Sequence, residues 1–160
     1  AGKKITVPEL SLYLKHKYCL EEQVNKEYSQ ILVLEDDSII PDNFYDYLER
    51  CVNEFNAHEP KLDYLMLGTC CGFKSKGIVE GKMIYTDDRG PGYGFRCSAA
   101  QVVNLDTAKT ILKHINHINW PYDWKLSEIG YMENIKVGCA EPPILQASEH
   151  GDPSSIQGRR

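Results

Sequence analysis

Apolar positions along this chain recur in two rhythms. Leu10, Leu14 and Tyr18, four residues apart, predict a first helix running to about Tyr28. Its start is marked by Thr6-Val7-Pro8-Glu9, a capping box: Thr6 caps, Glu9 reaches back, and Pro8 suits the first turn. Ile31-Leu32-Val33-Leu34 is a continuous apolar run whose β-branched residues and length predict a strand buried on both faces. Pro41-Asp42-Asn43 opens a second helix, with Phe44, Leu48, Cys51, Val52 and Phe55 at helical spacing. Tyr64-Leu65-Met66-Leu67, ended by Gly68, predicts a second buried strand.

Beyond Gly68 the rhythm breaks. Gly72, Gly77, Gly81, Gly90, Gly92 and Gly94, with Pro91, predict a functional loop flanking a hairpin through Met83-Ile84-Tyr85. Arg96 to Asn104 reads as a strand. Asp106 or Thr107 then caps a third helix with Ala108, Ile111, Leu112 and Ile115 on one face. Trp120-Pro121-Tyr122-Asp123 is a turn into a short helix, Ile135-Lys136-Val137 a strand, and Pro142-Pro143-Ile144-Leu145 an extended segment. Helices alternating with buried strands predict an α/β sandwich with a mostly parallel sheet over residues 1–147 and a polar tail over 148–160.

The chain's 160 residues suffice for one domain with a real core, and 42% hydrophobic with 26% charged residues is an ordinary globular balance. A formal charge of −5 argues against general nucleic-acid binding. No apolar run approaches the roughly 20 residues that span a bilayer, which leaves peripheral membrane contact open. Cys51 and Cys139 sit among apolar residues, and none of the six cysteines forms a C-x-x-C pair. Reduced structural thiols and a cytoplasmic location are therefore expected. The adjacent Cys70 and Cys71 have no chemical explanation.

Chemistry concentrates at Glu35-Asp36-Asp37, directly behind the first apolar strand. Ligands of open α/β sheets gather beyond the carboxyl ends of strands. Glu35 and Asp37 share a face if the strand continues, with Asp36 opposed, unless the chain turns. Three neighbouring carboxylates are costly unless a cation neutralises them, and Mg²⁺ or Mn²⁺ bound to diphosphate oxygens would do so. The plain alternative is that these acids only solvate a strand end before the turn at Pro41.

Leu32-Val33-Leu34-Glu35-Asp36-Asp37, followed by Phe44, resembles glycosyltransferase family 25, which includes lipooligosaccharide galactosyltransferases and collagen galactosyltransferase domains. Further blocks resemble that family in order. They are Glu9 with His16, Leu65-Met66-Leu67-Gly68, Arg96-Cys97-Ser98-Ala99-Ala100 with Ala108 and Leu112, Pro121-Tyr122-Asp123, and Pro142-Pro143 with Gln146 and Ser154-Ser155-Ile156. Lys15-His16 stands where the family has Ser-His, and no apolar strand of the family's N-terminal strand-helix unit is found in residues 1–8.

The resemblance implies a GT-A-like three-layer α/β/α sandwich and a nucleotide-sugar donor, with inverting transfer to a hydroxyl of a glycan or other acceptor. It gives Asp37 to the metal, Glu35 and Asp36 to the metal or donor ribose, and His16 and Arg96 to the donor side. His150 would complete the metal site, and Asp123 would be the general base. Blander readings stand beside each role: a packed helix residue for His16, an ion pair for Arg96, a solvated tail residue for His150, a helix cap for Asp123. Tyr93, Trp120 and Trp124 could stack on a sugar or sit in the core. A non-catalytic carbohydrate- or partner-binding module and a metal-dependent phosphoesterase are the competing function classes.

Overall fold

The computed structural model describes residues 4–68, 81–86, 95 and 98–147. Helix α1 (Val7–Asn25) starts as expected. Thr6 N–H donates to Glu9 Oε2 at 2.8 Å, and Glu9 N–H returns to Thr6 Oγ1 at 3.4 Å. Strand β1 (Gln30–Leu34), strand β2 (Ser38–Ile39), helix α2 (Phe44–Ala57) and strand β3 (Tyr64–Gly68) follow. Next come β4 (Ile84–Thr86), β5 (Ala100–Asn104), α3 (Leu105–His114), α4 (Tyr122–Met132) and β6 (Val137–Gln146).

The strand order is β1-β5-β3-β6-β2, with β4 also on β6. The class is α/β as read, but the mostly parallel sheet is corrected. Only β3 and β6 pair in parallel; the β1–β5, β3–β5, β4–β6 and β2–β6 pairs are antiparallel. The reason is topological. The β1-α2-β3 crossover leaves one place open between two strands of common direction, and β5 fills it from the opposite direction.

Side chains alternate across the sheet and feed two cores. Tyr64 and Met66 of β3, Val103 of β5, and Val137 and Cys139 of β6 pack with Tyr13, Leu20, Ala108, Ile111, Leu126 and Ile129 from α1, α3 and α4. Leu65, Leu67, Ala100, Val102, Ala140 and Ile144 pack with Tyr47, Cys51 and Phe55 from α2. This is a three-layer sandwich.

Two expected burial patterns are reversed. Helix α1 buries Glu9, Tyr13, His16, Leu20 and Gln23, not the Leu10-Leu14-Tyr18 stripe, where Tyr18 is 62% exposed. Polar groups sit inward there because partners await them: Gln23 Nε2 donates to Val103 O at 2.9 Å. Strand β1 is not buried on both faces, since it ends the sheet and leaves Leu32 and Leu34 over a third exposed.

The expected extended segment at 142–145 and the strand at 135–137 merge into β6. Pro142 and Pro143, which lack ladder donors, fall where the register against β3 shifts between Met66 and Gly68. Of the expected hairpin through Met83-Tyr85, Ile84 and Tyr85 form a strand paired to β6, while residues 69–80 and 87–94 of the glycine-rich stretch lie outside the described residues. Helix α3 begins at Leu105 with Asn104 as cap, two or three residues before the expected cap at Asp106 or Thr107. Cys19 and Cys51 are free thiols, and burial pushes the Cys51 thiol up to about 11.

Candidate active site

Strand β1 hands the chain directly into the acidic triplet. Glu35 N–H donates to Ala99 O at 2.7 Å, and the Ser38 hydroxyl donates to the same carbonyl at 2.8 Å. The chain then turns: Ser38 N–H donates to Glu35 O at 3.1 Å, which places Asp36 and Asp37 at the corners. Strand alternation therefore stops at Glu35 and does not set the directions of the two aspartates. Asp36 is exposed and Asp37 half-buried. The end of β6 closes on the same turn. Ala147 N–H donates to Asp37 O at 2.8 Å, and Gln146 Nε2 to Asp37 Oδ1 at 3.4 Å.

Glu35 goes the other way, inward. Its side chain is 13% exposed and meets His16 Nε2 at 3.1 Å through Oε1. The Ser98 hydroxyl donates to the same oxygen. Burial alone would raise the Glu35 carboxyl. The hydrogen bonds from His16 and Ser98, with the positive charge of Lys15, outweigh it and hold the group below its ordinary value. His16 is in turn bonded through Nδ1 to Gln101 Nε2 at 2.8 Å. The far end of Gln101, Oε1, accepts from the Tyr64 hydroxyl.

Helix α4 brings the third sequence-derived region to this pair. The ring of Tyr122 stacks on His16, with centroids 4.2 Å apart and planes 13° from parallel. The next residue, Asp123, stands in the first turn of α4, half-buried, and its Oδ1 accepts from Trp124 N–H at 2.9 Å. A carboxylate there is favoured by the helix N-terminus. Trp124 is exposed and stacks on Trp120 at 5.8 Å and 23°. Thus Glu35, His16 and the Pro-Tyr-Asp turn, 19 and about a hundred residues apart in sequence, are neighbours in the fold.

Arg96 and His150 lie outside the described residues, as do Tyr93, Cys70 and Cys71. Among the described residues no three His, Cys, Asp or Glu side chains gather around a point that could hold a metal ion. Sequence reasoning did not select Ser98, Gln101 or Tyr64 as site residues. A signal existed for Gln101, an amide inside the apolar run Ala99-Ala100-Gln101-Val102-Val103, because a polar side chain kept within a buried strand needs a partner. Ser98 offered only its place in the block Arg96-Cys97-Ser98-Ala99-Ala100.

No curated protein matches the chain. Residues 1–126, a span that includes the acidic turn, His16, Gln101 and Asp123, match a family described as glycosyltransferase family 25 (LPS biosynthesis protein). Because that match spans well over half of the chain, the chain belongs to glycosyltransferase family 25.

Proposed function

We propose that this chain transfers a hexose from a UDP-sugar to a hydroxyl of a glycan acceptor, with inversion at the anomeric carbon and with Mn²⁺ or Mg²⁺. The observation that carries the reading is the acidic turn Glu35-Asp36-Asp37 at the carboxyl end of β1, in a glycosyltransferase family 25 chain. That end is where ligands of open α/β sheets collect.

The residues fit a divalent cation in one respect. Such ions use one or two carboxylates and complete their shell with water and phosphate oxygens, and Asp37 offers a carboxylate on a half-buried corner. Asp37 is the proposed ligand. His150 is the proposed second one, since Ala147, three residues earlier, is bonded to Asp37. The cation, when bound, offsets charge on the leaving diphosphate. Glu35, with one oxygen already taken by His16 and Ser98, suits acceptance from a ribose hydroxyl better than cation binding. Asp36 is proposed beside it, and Arg96 against the diphosphate.

The transfer needs a proton acceptor on the acceptor side. As the acceptor oxygen bonds to the anomeric carbon and the bond to the diphosphate breaks, the hydroxyl proton passes to Asp123, and UDP leaves. The half-buried helix start suits that role by position. Free thiols at Cys19 and Cys51 support a cytoplasmic setting, and no helix among the described residues is long and apolar enough to cross a membrane.

The test is calorimetry of the full chain with UDP and Mn²⁺, followed by UDP release from UDP-galactose, UDP-glucose and UDP-N-acetylglucosamine. Asp37→Ala is expected to lose UDP binding in Mn²⁺; unchanged binding sinks the metal role. Wild-type chain that binds no UDP would support the non-catalytic module. Free phosphate without sugar transfer would support the phosphoesterase.

A further inference from the structure

Behind Glu35 a row of polar side chains crosses the core from β3 to the end of β1. The Tyr64 hydroxyl donates to Gln101 Oε1, Gln101 Nε2 meets His16 Nδ1 at 2.8 Å, and His16 Nε2 meets Glu35 Oε1 at 3.1 Å. Tyr64 and Gln101 are fully buried and His16 is 3% exposed. The ladders and helices do not need these side chains. Apolar residues would fill the same places without the desolvation cost that each polar group carries. What the row does achieve is direction.

A tyrosine hydroxyl donating to the amide oxygen turns the Gln101 N–H toward the imidazole. Nδ1 must then accept, so the single ring proton of neutral His16 sits on Nε2 and points at Glu35. The Tyr122 ring stacked on the imidazole opposes tilting. Ser98 donates to the same Glu35 oxygen, and no described residue is bonded to Oε2. One carboxylate oxygen is thereby anchored from inside while the other is left for a ligand.

We propose that Tyr64, Gln101 and His16 form a buried brace that fixes the orientation of the Glu35 carboxylate toward the nucleotide donor. Tyr64 and Gln101 are positioning residues that act through His16. The proposal rests on the reading of Glu35 as a donor-contacting group, so its test separates the two.

The experiment is a double-mutant cycle on UDP affinity in Mn²⁺, using Gln101→Met and Glu35→Gln in the full chain. Gln101→Met keeps the length of the side chain and removes both polar atoms. Alone it is expected to weaken UDP binding about tenfold, the scale of one hydrogen bond to a charged group. In the Glu35→Gln background the same change should alter affinity by less than about twofold. Equal losses in both backgrounds mean that Gln101 only packs, and overturn the brace.

If Glu35→Gln leaves UDP binding intact, the donor role of Glu35 falls, and the brace is then judged by ¹⁵N spectra of the histidine rings. His16, assigned from the signals lost in His16→Gln, should carry its proton on Nε2 with Nδ1 bare. A proton on Nδ1 in the wild type overturns the brace whatever the binding data. Should Gln101→Met fail to fold, Tyr64→Phe, which deletes one hydroxyl, replaces it in the cycle with the same criterion.

Discussion

At the scale of single residues, the informative one is Glu35. A carboxylate this deep is tolerated because two donors meet it, and its folded-state value lies below its ordinary one. The consequence for stability has a definite sign. Ionised Glu35 stabilises the fold above the unfolded-state value, and that contribution is lost as pH falls through the lower folded value. Gln in its place mimics the protonated acid and lacks the pH-dependent part. Denaturant unfolding of wild type and Glu35→Gln should therefore differ most near neutral pH and converge as pH falls from neutral through the lowered folded value of Glu35. A gap that stays constant across that range would show that Glu35 gains nothing from its charge in the fold. The same residue shows what one sequence can reveal. That three acids follow an apolar run is visible at once. That the first turns inward and the next two sit on a corner is not, because it depends on Ala99 and Ser98, more than 60 residues away.

Elements were legible where local chemistry decides them. The start of α1 could be read from four residues because both halves of the capping box are local hydrogen bonds. Its buried face could not. Two stripes compete on that helix, and the one with more leucine lost to the one carrying His16 and Gln23, whose partners just after β1 and on β5 lie in other elements. Strand β1 departs from its expected burial for a related reason: an apolar run reports a strand but not its place at the sheet edge. The end of α1 holds a further element-scale feature. Tyr28 N–H donates to Gln23 O at 3.1 Å and Glu27 N–H to Val24 O at 3.3 Å, the paired bonds of a Schellman motif. Glu27 takes the left-handed position, φ 55°, which glycine occupies without a Cβ penalty. Its side chain is exposed, so little packing would be lost on removal. Glu27→Gly should raise stability by roughly 0.5–1 kcal/mol, the left-handed strain relieved less the entropy glycine adds to the unfolded chain. An unfolding midpoint that drops in Glu27→Gly would mean that the glutamate side chain stabilises this cap by more than the strain costs.

Across the whole molecule, three segments converge on one end of the sheet. The turn after β1 brings the acids, the end of β6 closes on Asp37, and α4 arrives with Tyr122 stacked on His16. The mixed sheet explains this convergence better than a parallel one would. Antiparallel β5 enters between β1 and β3, so the start of β5, with Ser98 and Ala99 just before it, lies beside the end of β1. Under the proposed reading the two sides of the site then divide the work, acids of the turn for donor and cation, the start of α4 for the acceptor. That division predicts separable kinetic effects. Asp123→Asn keeps the size and the cap-like acceptor of the side chain but removes a base, so kcat should fall by on the order of 10²–10⁴ while UDP affinity in Mn²⁺ stays near wild type. Trp124→Ala removes an exposed ring stacked on Trp120 and should raise the acceptor KM with a smaller change in kcat. Steady-state kinetics with donor and acceptor varied in turn distinguishes these outcomes. If Asp123→Asn instead weakens UDP binding and leaves kcat intact, α4 belongs to the donor side, and the base must be sought elsewhere in the chain.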